Sequence, residues 1–235
     1  MTNLTARLQE LFHTLQDELS PDVSVEAGAW RAEFSRELKR RHPEIRSWAF
    51  EANKYNHEEN VSAVIADGVN YVHSAVTNKV GTTRFLLQEM RKSDGARYQK
   101  EIGNNSLLIR NDDDVLYSAP TVMCTSLDAF FIDNDRIQDD ERACLWIDVE
   151  GASKEVLEGS LAFLNQVDSI FIEVEEIQYW HEQWLNTDVD SFMQKHGFTA
   201  IARDTEYAHQ YNVIYLNNKH LEDQKIKNLY ENWSM

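Results

Sequence analysis

Carboxylates follow or close nearly every apolar run of this 235-residue chain. Glu26 follows Val23–Val25 and Glu51 follows Ser47–Phe50. Asp148 and Glu150 end the Cys144–Val149 run, and Glu173 and Glu175 end Ser169–Val174. A carboxylate on a buried apolar segment costs several kcal/mol (~2–7) unless it is paired or stands at a water-filled edge. The economical arrangement gathers these acids around one cleft, beyond the carboxyl ends of parallel strands. There they can accept ribose hydroxyl hydrogens, face a cationic ligand or take a proton from a reacting hydroxyl.

The first such segment reads Val25-Glu26-Ala27-Gly28-Ala29-Trp30 and opens a helical pattern. Gly28 supplies a tight turn and lets backbone approach a ligand. Glu51 stands 23 residues later, where a carboxylate can take both ribose hydroxyls of an adenosine cofactor. A dinucleotide would need a G-x-G-x-x-G turn for its pyrophosphate. Here Trp30 and Ala32 replace the later glycines, and Glu26 would repel phosphate. The charge argument favours cationic S-adenosylmethionine as the cofactor, with Glu51 at its ribose; the residues expected around it are Glu26, Ala27, Gly28, Ala29, Trp30, Glu51, Ala52, Asn53, Ser74, Ala75 and Asp148. A nicotinamide-dependent oxidoreductase is the enzymatic alternative, and a catalytically degenerate interaction module the non-enzymatic one.

Asp148 and Glu150 are the expected base or hydroxyl-orienting groups, with His181 a further catalytic candidate in the aromatic segment Tyr179, Trp180, His181 and Trp184. The competing reading makes Glu150 a helix cap near Ala152 and the aromatics a packed helix face. No metal is expected; were Mg²⁺ bound, Asp148, Glu173 and Glu175 would hold it. No H-E-x-x-H, zinc-type Cys spacing, G-x-S-x-G or Walker A loop is present.

The elements that must position these groups follow from periodicity. Helices are expected over residues 3–19, 30–41, 54–66, 152–165 and 189–196. Strands are expected at 23–25, 47–50, 69–72, 144–149, 169–174, 198–202 and 212–216. Two further β-like runs, 82–87 and 121–127, surround a polar stretch holding Asn104, Asn105 and Asp112–Asp114. Strand, helix, strand from Cys144 to Val174 forms a parallel βαβ unit. The last two strands form an antiparallel hairpin, with an exposed terminal helix after them. The fold class is α/β and Rossmann-like, with a mostly parallel sheet and helices on both faces. One domain is expected, with an N-terminal helix (1–20), a core (21–217) and a helical tail (218–235).

Hydrophobic residues at 42% and aromatics at 11% suffice for a sizeable core. No run approaches the ~18–20 apolar residues of a membrane span, and the N-terminus reads as a helix face rather than a leader. Cys124 and Cys144 are expected as reduced core thiols, which favours the cytoplasm. The net charge of −17 disfavours a nucleic-acid partner. The basic strip Arg36–Arg41 is expected to be a solvated helix face.

Several segments resemble the FkbM-type family of S-adenosylmethionine-dependent methyltransferases. The family's first-loop pattern D-x-G-A-N-x-G-x-[YF]-S stands here as Glu26 to Ser35, and A-F-E-P-N as Ala49 to Asn53. V-x-T-L-D is similar to Val122 to Asp128, and I-D-V-E-G-A-E-x-x-V-L-x-G to Ile147 to Gly159. Glu26, Trp30, Ala32, Ala52 and Ser153 depart from these patterns. The resemblance implies a class I methyltransferase fold. It also implies O-methyl transfer to a carbohydrate or small-metabolite hydroxyl.

Overall fold

The computed structural model describes residues 4–98, 103–205, 207–231 and 233. The chain runs α1 (Leu4–Leu19), β1 (Val23–Ala27), α2 (Glu33–Arg41), β2 (Arg46–Glu51), α3 (Lys54–Ala66) and β3 (Asn70–His73). An excursion follows, comprising β4 (Ala75–Val76), β5 (Gly81–Arg84), β6 (Leu87–Arg91), β7 (Val115–Ser118) and β8 (Thr121–Thr125). The second half holds β9 (Ala143–Ile147), α4 (Ser153–Glu158), β10 (Val167–Glu175), α5 (Asn186–Lys195), β11 (Phe198–Arg203), β12 (Gln210–Asn217) and α6 (Gln224–Tyr230).

Seven strands form one sheet in the order β11-β12-β10-β9-β1-β2-β3. β1, β2, β3, β9 and β10 are mutually parallel. β12 runs antiparallel to both β10 and β11, as expected of the terminal hairpin. The fold is α/β and Rossmann-like. Chain order reverses between β1 and β9, which creates the switch point where ligands of such sheets bind.

Alternation along the strands serves two apolar layers. Val23, Val25, Ala27, Leu145, Ile147, Ile170 and Ile172 pack with Val156 and Leu157 of α4 and Val189 and Met193 of α5. Cys144, Trp146 and Phe171 face Leu8, Phe12 and Leu15 of α1, Phe34 and Leu38 of α2, and Ile226 of α6. Buried Gln16 ties α1 to the sheet by accepting the Ser169 hydroxyl at 3.0 Å. Both cysteines are buried and unpaired. Among the described residues no helix is long and apolar enough to cross a membrane.

Four expectations need correction. The helix of residues 152–165 is two pieces, α4 and a short 3₁₀ turn at Phe163–Gln166. The Asp128 carboxylate accepts the Ala162 and Phe163 amides and starts the second piece separately. The terminal helix is docked rather than exposed, because Ile226 is buried in the layer under α1. The helix of residues 30–41 begins only at Glu33, after a turn. Finally, residues 82–91 form two strands, and β7 lies within the polar stretch.

Candidate functional site

The carboxyl ends of β2, β1, β9 and β10 open into a cavity of about 580 Å³, within the usual range for a small-molecule site of roughly 300–1,000 Å³. Glu51, Asp148, Glu150 and Glu173 line it, together with Gly28, Trp30, Ala52, Asn53, Ser74 and Ala75. Four carboxylates thus share one space whose single basic lining residue, among the described residues, is Arg110. Such a lining suits a ligand of positive charge.

Gly28 sits at the switch point with φ 81°, and a Cβ there would overlap the backbone carbonyl of Asp148. Only glycine lets the β1 loop lie this close to the β9 exit. Trp30 and Ala32, in the same loop, also hold left-handed backbone, at φ 41° and 53°. The loop is braced from β2: Glu51 accepts the Trp30 amide at 2.7 Å and the Asn53 amide at 2.6 Å. The Tyr71 hydroxyl donates to the Trp30 carbonyl. Burial raises the Glu51 carboxyl to about 7, partly offset by those amides. Asn53 also caps α3, its side chain accepting the Tyr55 amide at 3.0 Å.

Glu26 departs from the expected arrangement. It lies within β1, opposite Trp146, and its carboxylate accepts the Ser35 amide of α2 at 2.9 Å. It does not line the main cavity. With Ala29 it borders an adjoining pocket of about 200 Å³, which shares Gly28, Trp30, Trp146 and Asp148 with the larger one. Burial lifts the Glu26 carboxyl to about 8. Its structural duty is to anchor the first turn of α2, where a carboxylate meets free amides. Ala27 is buried in the sheet core and lines neither space.

On the other side of Asp148, Glu150 takes φ 50°. The cap of α4 is Ala152, with no side-chain cap bond, so Glu150 is not the helix cap. Its neighbour Gly151 (φ 80°) faces the indole of Trp180, which a Cβ would overlap. Burial, with the Asp148 charge adding, raises Glu150 to about 8, and Arg110 opposes this. Burial and the same charge raise Glu173 well above the ordinary carboxylate range. One oxygen each from Asp148, Glu150 and Glu173 lies within 4.8 Å of the others. Glu175, expected in this trio, is outside it and only 1% exposed. Glu150 takes its place because the left-handed turn brings it back toward the β10 edge.

His181 is exposed and lies outside the cavity lining. Its expected catalytic role is not supported by this position. Tyr179 and Trp180 do line the cavity, held by the Gln183 side-chain oxygen, which accepts both amides at 2.9 and 3.0 Å. Trp184 instead packs on Phe192 of α5.

A family profile described as "Methyltransferase FkbM domain" matches residues 22–200. The chain belongs to the FkbM methyltransferase family. The match spans every strand exit that lines the cavity up to β10. No curated protein matches this FkbM chain. Solved structures similar to it include Streptococcus pneumoniae Sp1610, at 13% identity over 84% of this chain and 64% of that one, TM-score 0.42. The chain therefore spans just under two thirds of that protein. Burkholderia thailandensis 1,6-didemethyltoxoflavin-N1-methyltransferase is similar at 10% identity over 91% of this chain and 79% of that one, TM-score 0.45. M. capricolum TrmK, solved with S-adenosylhomocysteine, is similar at 11% identity, 87% and 67% coverage and TM-score 0.43.

Several lining residues of this FkbM domain escaped the sequence reading. Thr5 and Gln9 reach the cavity from α1, Gln210 and Asn212 from β12, and Asn104, Asn105 and Arg110 from the excursion. Only the Asn104–Asn105 pair carried a signal, as an uncharged polar pair in a turn-rich stretch. Asn212 lies opposite Glu173 in the sheet, and buried Asp204 fixes it by accepting its amide groups at 2.8 and 2.9 Å.

Proposed function

We propose that this domain transfers the methyl group of S-adenosylmethionine to a hydroxyl of a carbohydrate or other small polyhydroxylated molecule. The observation that carries the reading is the shared cavity: Glu51 at the β2 exit and Asp148 at the β9 exit flank the Gly28 loop of the intervening β1 and face one space. The residues fit the cofactor. Glu51 is placed to accept ribose hydroxyls, while Ala52, Ala75 and Phe85 belong to one apolar cluster that supplies a wall for a purine. Bound there, the cofactor supplies a methyl group on a sulfonium, which leaves as a neutral thioether.

The chain's own task is then alignment and removal of one proton. Asp148 and Glu150 stand together at the β9 exit; one orients the acceptor hydroxyl and the other receives its proton. A carboxyl lifted to about 8, as in Glu150, exchanges protons near neutrality. The acceptor end carries the carboxamides of Gln9, Asn104, Asn105, Gln210 and Asn212 beside the rings of Tyr179 and Trp180. Amides and aromatic faces together suit a sugar, which offers hydroxyls at its rim and C–H groups on its faces.

Calorimetric titration with S-adenosylhomocysteine tests the cofactor reading. Binding is expected, and Glu51→Ala should weaken it about 10–100-fold, the worth of hydrogen bonds to a charged group. Absence of heat with the wild-type chain would favour a degenerate interaction module; unchanged affinity in the variant would remove the ribose assignment.

A further inference from the structure

Arg110 is the single basic side chain lining the cavity among the described residues, and it stands at the acceptor end beside Tyr179, Trp180 and Asn104. Its segment is pinned there. Arg110 forms an antiparallel bridge with Trp180, and the next amide, of Asn111, donates to the Tyr179 carbonyl at 2.7 Å. The Arg110 guanidinium lies over the Trp180 ring, 5.4 Å from its centroid. That ring is only 2% exposed and closes on Gly151, so it is a rigid platform. Stacking engages the face of a guanidinium and leaves its N–H donors, which point outward in the plane, for another partner.

Among the described residues the protein supplies none. No side-chain hydrogen bond leaves Arg110, and no carboxylate oxygen comes within 4.0 Å of its nitrogens. The Glu150 carboxyl is near enough to feel the charge but forms no ion pair with it. Burial raises that carboxyl to about 8, so near neutrality it holds a proton and leaves the Arg110 charge uncompensated. Water can solvate the guanidinium while the cavity is open. An acceptor that fills the space displaces that water, and a desolvated cation without a partner is costly unless the incoming molecule supplies one.

We propose that Arg110 determines acceptor specificity by binding an oxyanion, a carboxylate or a phosphate, carried on the same molecule as the reacting hydroxyl. The substrate class is then a hydroxylated acid, such as a uronic acid or a sugar phosphate, rather than a neutral sugar. A planar fork of N–H donors matches two oxygens of either group, which fixes orientation as well as position. When bound, the cofactor's sulfonium adds a second positive charge to the same space and offsets the carboxylates that would repel an anion. The use of the site rests on the methyl-transfer reading, whereas the anion site itself stands on Arg110 and Trp180 alone.

Nuclear magnetic resonance of the ¹⁵N-labelled full chain, saturated with S-adenosylhomocysteine, tests the proposal through the Trp180 indole N–H, assigned with Trp180→Phe. Sodium acetate and sodium phosphate, each replacing chloride at about 150 mM ionic strength, are the two probes. The Trp180 signal should shift and saturate with a dissociation constant of about 1–50 mM for at least one of them. The tighter probe tells a carboxylate acceptor from a phosphorylated one. Arg110→Gln should weaken the response at least about tenfold, and Arg110→Lys, which keeps the charge but loses the fork, at least about threefold. The melting-temperature rise given by S-adenosylhomocysteine shows that each variant keeps its cavity. Product binding with no saturable response to either anion overturns the anion site and leaves the methyltransferase reading standing. A response that survives Arg110→Gln overturns it as well. An Arg110-dependent response in a chain that takes up no S-adenosylhomocysteine overturns the assignment of the anion to a methyl acceptor.

Discussion

Ala32 holds φ 53° and ψ 41° with no exposed surface, and it stands where the family pattern has glycine. A left-handed alanine costs about 1–2 kcal/mol, part of which glycine returns through its greater freedom in the unfolded chain. Ala32→Gly should therefore stabilise the protein by about 0.5–1 kcal/mol in urea denaturation; a loss of stability would show that the Ala32 methyl contributes more by packing. Trp30 likewise keeps the left-handed backbone that asparagine tolerates well. The departures in this loop were plain in the sequence, but not that the backbone keeps its turn despite them. Gly151 makes the opposite case. Its Cβ would enter the Trp180 ring, so Gly151→Ala should cost at least about 2 kcal/mol and disturb the Glu150 turn. Trp180 fluorescence during the same denaturation would register both effects.

At the scale of elements, α1 shows what periodicity reveals and what it hides. Leu8, Phe12 and Leu15 were visible as an apolar stripe, and they are buried on Trp146, Phe171 and Phe34. Nothing marked Thr5 and Gln9 as cavity residues, because polar side chains beside such a stripe read as solvated. The same limit hid β7 and the break after α4. Short, half-exposed strands lack alternation, and a capping carboxylate from Asp128 is invisible to a helical pattern. The parallel βαβ core was legible because strands buried on both faces are apolar throughout. Arg36–Arg41, expected as a solvated face, is instead half-buried at Arg36, Lys39 and Arg41: Arg36 pairs with Asp67 and Arg41 with Glu10, Asp17 and Glu37.

The buried side of α1 also carries His13, stacked on Phe34 with Nδ1 unpartnered among the described residues. Burial, with the Arg41 charge adding, lowers it from 6.5 to about 4, against the opposing Glu37, Glu10 and Asp17. Between those values the unfolded chain binds more protons than the folded one, so this group's contribution to stability is lost as pH falls from 6.5 toward 4. Glu26 and Glu51 act with the opposite sign, since their raised values favour the folded state in acid. A comparison with His13→Leu isolates the histidine. The variant should gain on the order of 2 kcal/mol relative to wild type between about pH 7 and pH 4.5. A constant difference across that range would place His13 in water in the working protein.

At the scale of the whole molecule, a net charge of −17 and a cavity lined by four carboxylates act on a ligand in the same direction. S-adenosylmethionine carries one net positive charge through its sulfonium, and S-adenosylhomocysteine carries none, although the two are nearly the same shape. The long-range field therefore distinguishes substrate from product, and salt removes that distinction as the Debye length contracts from about 30 Å at 0.01 M to about 8 Å at 0.15 M. Raising NaCl from about 20 to about 300 mM should weaken S-adenosylmethionine binding severalfold and leave the product's affinity nearly unchanged. Thermal stability should rise over the same range, because screening relieves the chain's self-repulsion. Binding and stability would then move in opposite directions with salt, a pattern that neither general salting-in nor loss of folded protein produces. Parallel salt slopes for the two ligands would mean that the carboxylates around the cavity are neutralised by protons before the cofactor arrives, as the raised values of Glu51, Glu150 and Glu173 allow.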